Sequence, residues 1–79
     1  MRYRVHAQGR IVEGCLFNIF ANGRQEAAFN AAKELCTRYK GIAFSTEKCT
    51  RTNIILVGND NTGDMCVRAF IAPFPIPED

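Results

Sequence analysis

The chain has one histidine, no tryptophan, and three prolines that all fall within the last seven residues. A lone His6, with no nucleophile or carboxylate beside it in the sequence, supplies no general-base pair and reads as an ordinary strand residue. None of the four cysteines, Cys15, Cys36, Cys49 and Cys66, forms a Cys-x-x-Cys pair, so the strong zinc patterns are absent and no metal site is expected. Two disulfides would suit a secreted chain of this size, whereas free, mostly buried thiols suit a cytoplasmic one. No apolar run approaches the roughly 18 residues of a membrane helix, and the N-terminal MRYRVHAQGR lacks the apolar core of a signal peptide. A cytoplasmic location is therefore expected. Charge of one sign is also scarce: the net +2 falls well short of a protein held mainly by phosphate contacts.

Catalytic patterns are missing too. There is no Gly-x-Ser-x-Gly, no His-Glu-x-x-His, no phosphate loop around Gly58 or Gly63, and no paired-carboxylate motif. The oxygen-rich NDNTGD from Asn59 to Asp64 lacks the ligand spacing and closing Glu of an EF-hand loop, and reads as a turn. Neither an enzyme nor a cofactor is expected.

What the chain has is one long helical signal, NGRQEAAFNAAKELCTRYKG, from Asn22 to Gly41. Asn22 suits an N-cap with Gln25 completing a capping box, and Glu26 suits the first turn. Arg38 and Lys40 suit the last turn, and Gly41 can adopt the left-handed conformation that closes a helix. The spacing predicts Ala28, Phe29, Ala32, Leu35, Cys36 and Tyr39 on the buried face and Glu26, Asn30, Lys33, Glu34 and Thr37 in water. Arg24 and Arg38 join that solvated outer face.

Around the helix lie strand patterns. Residues 2–12 alternate, with Tyr3, Val5, Ala7, Gly9 and Ile11 on one side and Arg2, Arg4, His6, Gln8 and Arg10 on the other. Cys15 to Ala21 reads as a second strand. A turn at Glu13-Gly14 would place Arg10 opposite Phe17, Gln8 opposite Ile19 and His6 opposite Ala21; a turn at Gln8-Gly9 is the competing register. Ile42–Ser45 predicts a short third strand, followed by a polar loop over Thr46–Thr52. The apolar NIILVG from Asn53 to Gly58 predicts a central strand. Met65 to Ala72 predicts the last, with Cys66, Arg68, Phe70 and Ala72 on one phase and Met65, Val67, Ala69 and Ile71 on the other. PFPIPED, residues 73–79, predicts an extended tail.

The order β-β-α-β-β-β predicts a single α+β domain over residues 1–79, an antiparallel sheet of four to five strands with one amphipathic helix on one face. Such a helix covers one side only. The second strand nevertheless points Leu16 and Phe20 one way and Phe17 and Ile19 the other, the pattern of an interface. Arg4, His6 and Arg10 interleaved with Phe17 are the candidate partner-binding residues: guanidiniums beside an aromatic suit either a protein anchor or a stacking platform for nucleic acid.

In size and element order the chain resembles the small phage-encoded anti-CRISPR proteins in which a hairpin precedes an Ala-rich helix and further antiparallel strands follow. LFNIFA, NGRQEAAFNAAKELC, NIILVG and DMCVRAFIA carry the likeness. The resemblance implies a non-enzymatic inhibitor that docks on a host CRISPR surveillance complex, in the host cytoplasm if phage-encoded, and sterically blocks target DNA; it transfers no binding residue. A small sheet-based nucleic-acid-binding protein and a homodimer of purely structural role are the alternatives.

Overall fold

A computed structural model describes residues 1–10, 12–50 and 52–74, apart from the side chains of Val12, Glu13 and Cys15. The described residues form strands β1 (Arg2–Gly9), β2 (Val12–Phe20), β3 (Ala43–Cys49), β4 (Ile54–Asn59) and β5 (Met65–Pro73), with helix α1 (Arg24–Arg38) between β2 and β3. The strands make one antiparallel sheet in the order β2-β1-β5-β4-β3, and α1 packs on one face, so the α+β class expected from the element order holds. No described helix is long and apolar enough to cross a membrane.

The hairpin register departs from both sequence expectations. Val5 pairs with Phe17, Tyr3 with Ile19, His6 with Leu16, Arg4 with Asn18 and Arg2 with Phe20. Gly9 pairs with Val12, so the reversal falls between those two residues rather than at Glu13-Gly14 or Gln8-Gly9, and β1 ends at Gly9 instead of continuing to residue 12. Ile11 lies outside the described residues. The reason is face matching. A Glu13-Gly14 turn would bring Phe17 and Ile19 opposite the polar phase of β1, whereas the observed register lays them beside Val5 and Tyr3, toward the helix. Gly14, with φ of +78°, supplies the left-handed residue where β2 slips against β1 between Ala7 and Gly9.

The helix is shorter than its sequence signal and turned relative to it. Its N-cap is Gly23 in extended conformation with no side-chain cap; Asn22 does not form the capping box, and the first turn closes by the Ala27 N–H donating to the Gly23 carbonyl at 2.9 Å. Gly41 does take the left-handed conformation, at φ +87°. The buried stripe is Ala27, Ala28, Ala31 and Leu35; Ala32 and Tyr39 lie at its margin, while Phe29 is 67% exposed and Cys36 is exposed. The alanines belong to the same buried cluster as Ala7, Ala69, Leu56 and Ile71, all fully buried, while the large Phe29 stands outside it.

Two strand boundaries move. β3 runs through Cys49, absorbing Thr46–Cys49 from the expected loop, because an edge strand with one covered face tolerates polar residues; a bulge at Thr46/Lys48 interrupts its pairing with β4. β4 is central, between β3 and β5, as its apolar composition predicts. Pro73 ends β5 rather than beginning the tail, paired with Tyr3, and the Phe74 N–H continues the ladder onto the Arg2 carbonyl at 2.8 Å. The rest of the expected tail, residues 75–79, lies outside the described residues.

Candidate functional site: the open face of the sheet

One face of the sheet is covered by α1, and the other, the open face, is covered by no described element. Register assigns the open side row by row: Leu16, His6, Phe70, Ile55 and Lys48 lie across the five strands, with Gln8, Arg68, Val57 and Ser45 on one flank. Asn18, Arg4 and Ala72 form the next row, and Phe20 and Arg2 the last, with Phe74 alongside. Apolar side chains stand in water here: Phe20 is 73% exposed, Leu16 is 59% exposed, and Ile55, Val57, Phe70 and Phe74 are half-buried.

The structure brings some of the four sequence candidates together and separates the others. Arg4 and His6 sit two residues apart on the open face. Phe17 is on the opposite side, packed against the core, with the Arg38 guanidinium 4.3 Å from its ring centroid. Arg10 belongs to the hairpin connection, where its Nη2 lies 3.1 Å from Asp60 Oδ2. Phe17 therefore cannot join Arg4 and His6 in one contact surface.

Other aromatics take its place. The Phe74 ring holds two guanidiniums, Arg4 at 4.0 Å and Arg2 at 4.7 Å from its centroid. Cation–π contacts of this kind fix two long side chains that water would otherwise leave mobile. Phe70 sits at the middle of the face beside His6 and Ile55. The signal that could have found them is the β5 alternation, which puts Phe70, Ala72 and Phe74 on one phase; the pairing of β5 with β1, which brings that phase beside Arg2 and Arg4, is not written locally.

The charge on this face is unequal. Arg2, Arg4, Lys48 and Arg68 face one described carboxylate, Glu47, which accepts a 3.3 Å hydrogen bond from Arg68 Nη2. Toward the loop end, a shallow depression of about 570 Å³ is lined by Gln8, Arg10, Met65, Arg68 and Phe70 among others. Beside it the 59–64 turn is self-organised: Asp60 Oδ1 accepts from the Thr62 N–H at 2.9 Å, the Thr62 hydroxyl and the Asp64 N–H at 3.1 Å. Those bonds, Thr62 foremost and Arg10 adding to them, hold the Asp60 carboxyl below the usual range, so it stays an acceptor that orders the turn. These contacts order the oxygen-rich turn.

Among the described residues no three His, Cys, Asp or Glu side chains lie close enough to share a metal ion. Cys36, Cys49 and Cys66 are free thiols, of which Cys66 is buried. Comparison of the chain with protein-family models, characterised proteins and solved structures gives no match.

Proposed function

We propose that this protein is a non-enzymatic binding module that works by occlusion, with the open face of the sheet as its working surface. The observation that carries the reading is the composition of that face: half-buried aliphatic and aromatic groups beside ring-held guanidiniums, opposite a fully formed core. A solvated sheet face of a protein this small would be expected to alternate cleanly to polar residues. Aromatic and Arg side chains are the groups that anchor interfaces.

The partner reading rests on the likeness in size and element order to anti-CRISPR proteins. On that basis the target is a host CRISPR surveillance complex, and the effect is to prevent target DNA from engaging it. Rigid strands present the face, so inhibition needs no chemistry and no large rearrangement.

A binding assay with a purified surveillance complex and labelled target DNA tests this. The protein should lower DNA binding in proportion to occupancy, and Arg4→Glu combined with Phe70→Ser should abolish the effect while a helix-face change such as Lys33→Gln leaves it. Undiminished DNA binding at saturating protein, across complexes of several types, rules the reading out.

A further inference from the structure

Resting on the reading that the open face is the working surface, we infer that its ligand is single-stranded nucleic acid, lying along a diagonal track of Phe20, Arg2, Arg4, Phe70, Arg68 and Arg10. The track follows from the register. Phe20 on β2 stands opposite Arg2 on β1, Arg4 lies two residues further along β1, and Phe70 on β5 lies beyond His6. Strand spacing and rise put Phe20 and Phe70 about 16 Å apart, two strands over and four residues along. The path then enters the depression bordered by Arg68 and Arg10.

Charge and shape together favour this occupant. Arg2, Arg4, Lys48, Arg68 and Arg10 lie on or beside the face, and the carboxylates of Glu47 and Asp60 are already engaged by Arg68 and Arg10. The central pair, Arg2 and Arg4, is not joined to any carboxylate by a described ion pair and is instead held against Phe74. That arrangement fixes two phosphate-binding groups over Phe74, on the same face as two aromatics offered for stacking, the exposed Phe20 and the half-buried Phe70. Phe74 itself is occupied by the guanidiniums and acts as their support.

Unpaired bases offer both the π-faces and the backbone charge such a surface needs, with little dependence on sequence. A duplex hides its base faces. An acidic protein segment would use the cations but leave Phe20 and Phe70 without stacking partners. The low overall charge of +2 is compatible because the cations concentrate on one face.

The experiment is fluorescence anisotropy of the full chain with labelled 12-nucleotide oligo-uridine and oligo-deoxythymidine and a 12-base-pair duplex, at two salt concentrations. The single strands should bind more tightly than the duplex and weaken as salt rises. Arg2→Gln with Arg4→Gln should reduce affinity at least about tenfold and make the salt slope shallower by roughly 1.4, two phosphate contacts at about 0.7 each. Phe70→Leu, which keeps an apolar side chain in the sheet, should cost about fivefold or more with little change of slope. Circular dichroism confirms that each variant is folded.

Absence of single-strand binding at about 100 µM protein, the weak end of non-specific affinity, overturns the inference. So does a duplex that binds as well as the single strands, or affinity that the Arg and Phe variants leave unchanged. If occlusion of a surveillance complex depends on this face while oligonucleotides do not bind, the docking reading stands and this inference falls. The converse result, oligonucleotide binding through this face with no effect on any complex, upholds the inference and removes the docking reading.

Discussion

The two faces of this sheet are made by the same strands and have opposite fates. On the helix side Val5, Ala7, Leu56, Ala69 and Ile71 are fully buried, and the contact with α1 is made by small residues, Ala27 and Ala31 among them. On the other side the positions between them carry Arg4, His6, Ile55 and Phe70, larger or charged groups that no described helix or strand covers. A period of two residues is enough to write both surfaces into one strand. The covered face holds the fold together, and the open face is the surface proposed to take a ligand.

If that division is right, the largest stability effect belongs to the covered face. Leu35 is the largest helix side chain fully buried, at the C-terminal end of the buried α1 stripe. Leu35→Ala should cost about 2–5 kcal/mol, from lost burial plus the cavity left behind, measured by urea unfolding. A 79-residue chain with a thin core has little margin, so extensive unfolding at 25 °C is the expected outcome. A loss under about 1 kcal/mol would mean that the helix does not seal this core.

The next effect comes from the seam between the hairpin and β5. A Cβ on Gly9 would press against the Cys66 carbonyl oxygen and lie 2.7 Å from Val67 Cα, backbone atoms that cannot swing aside. Gly9→Ala should therefore force β1 and β5 apart locally, with an expected loss of about 1–3 kcal/mol. Since Gly9 also borders the depression on the open face, the same variant should broaden amide resonances from Gln8 to Arg10 and from Cys66 to Arg68. Unchanged stability would place the β1–β5 seam elsewhere.

The sequence made the covered face far more legible than the open one. Alternation in residues 2–8 and 15–20 correctly sorted Tyr3, Val5 and Ala7 from Arg4 and His6, and Leu16 and Phe20 from Phe17 and Ile19. Which phase of one strand met which phase of the next was another matter. The hairpin reverses between Gly9 and Val12, where the sequence carries no turn signature of its own, while the Glu13-Gly14 and Gln8-Gly9 dipeptides suggest turns at their own positions. That error put Phe17 beside Arg10 on the surface. The true neighbours of Arg4 come from β5, more than sixty residues away, through a pairing that no local pattern encodes. Within α1 the misreading was smaller and has a clear cause: weighting Phe29 as a core group turned the stripe away from the alanines that make the contact.

A weaker effect, with a pH signature, is expected at the turn that borders both faces. Asp60 is held below the ordinary carboxylate value, first by the hydrogen bonds from Thr62, then by Asp64 and Arg10. A carboxyl whose folded-state value is depressed contributes stability above its unfolded value, about pH 3.9, and loses it as pH falls through the folded one. Asp60→Asn should therefore lower Tm near neutral pH, and the gap from the parent should close progressively as the solution is acidified below about pH 4. A gap that is constant with pH would show that the turn relies on the shape of the side chain alone.

The smallest effect is the most discriminating for the comparison. Leu16 and Leu35 are the same residue in the two environments, one 59% exposed on the open face and the other fully buried under the helix. Leu16→Ala removes apolar area that folding scarcely hides, so its cost should stay within about 0.5 kcal/mol, against several for Leu35→Ala. Phe20→Ser should behave likewise in stability while weakening any ligand that stacks there. The argument turns on separating the two readouts: a residue kept apolar for folding loses stability when it is truncated, whereas one kept apolar for recognition loses only affinity. Should Leu16→Ala prove as costly as Leu35→Ala at micromolar protein, the face is covered in solution by another molecule of the chain, and its stability should then rise with protein concentration. A cost independent of concentration and near zero is what an open working face requires.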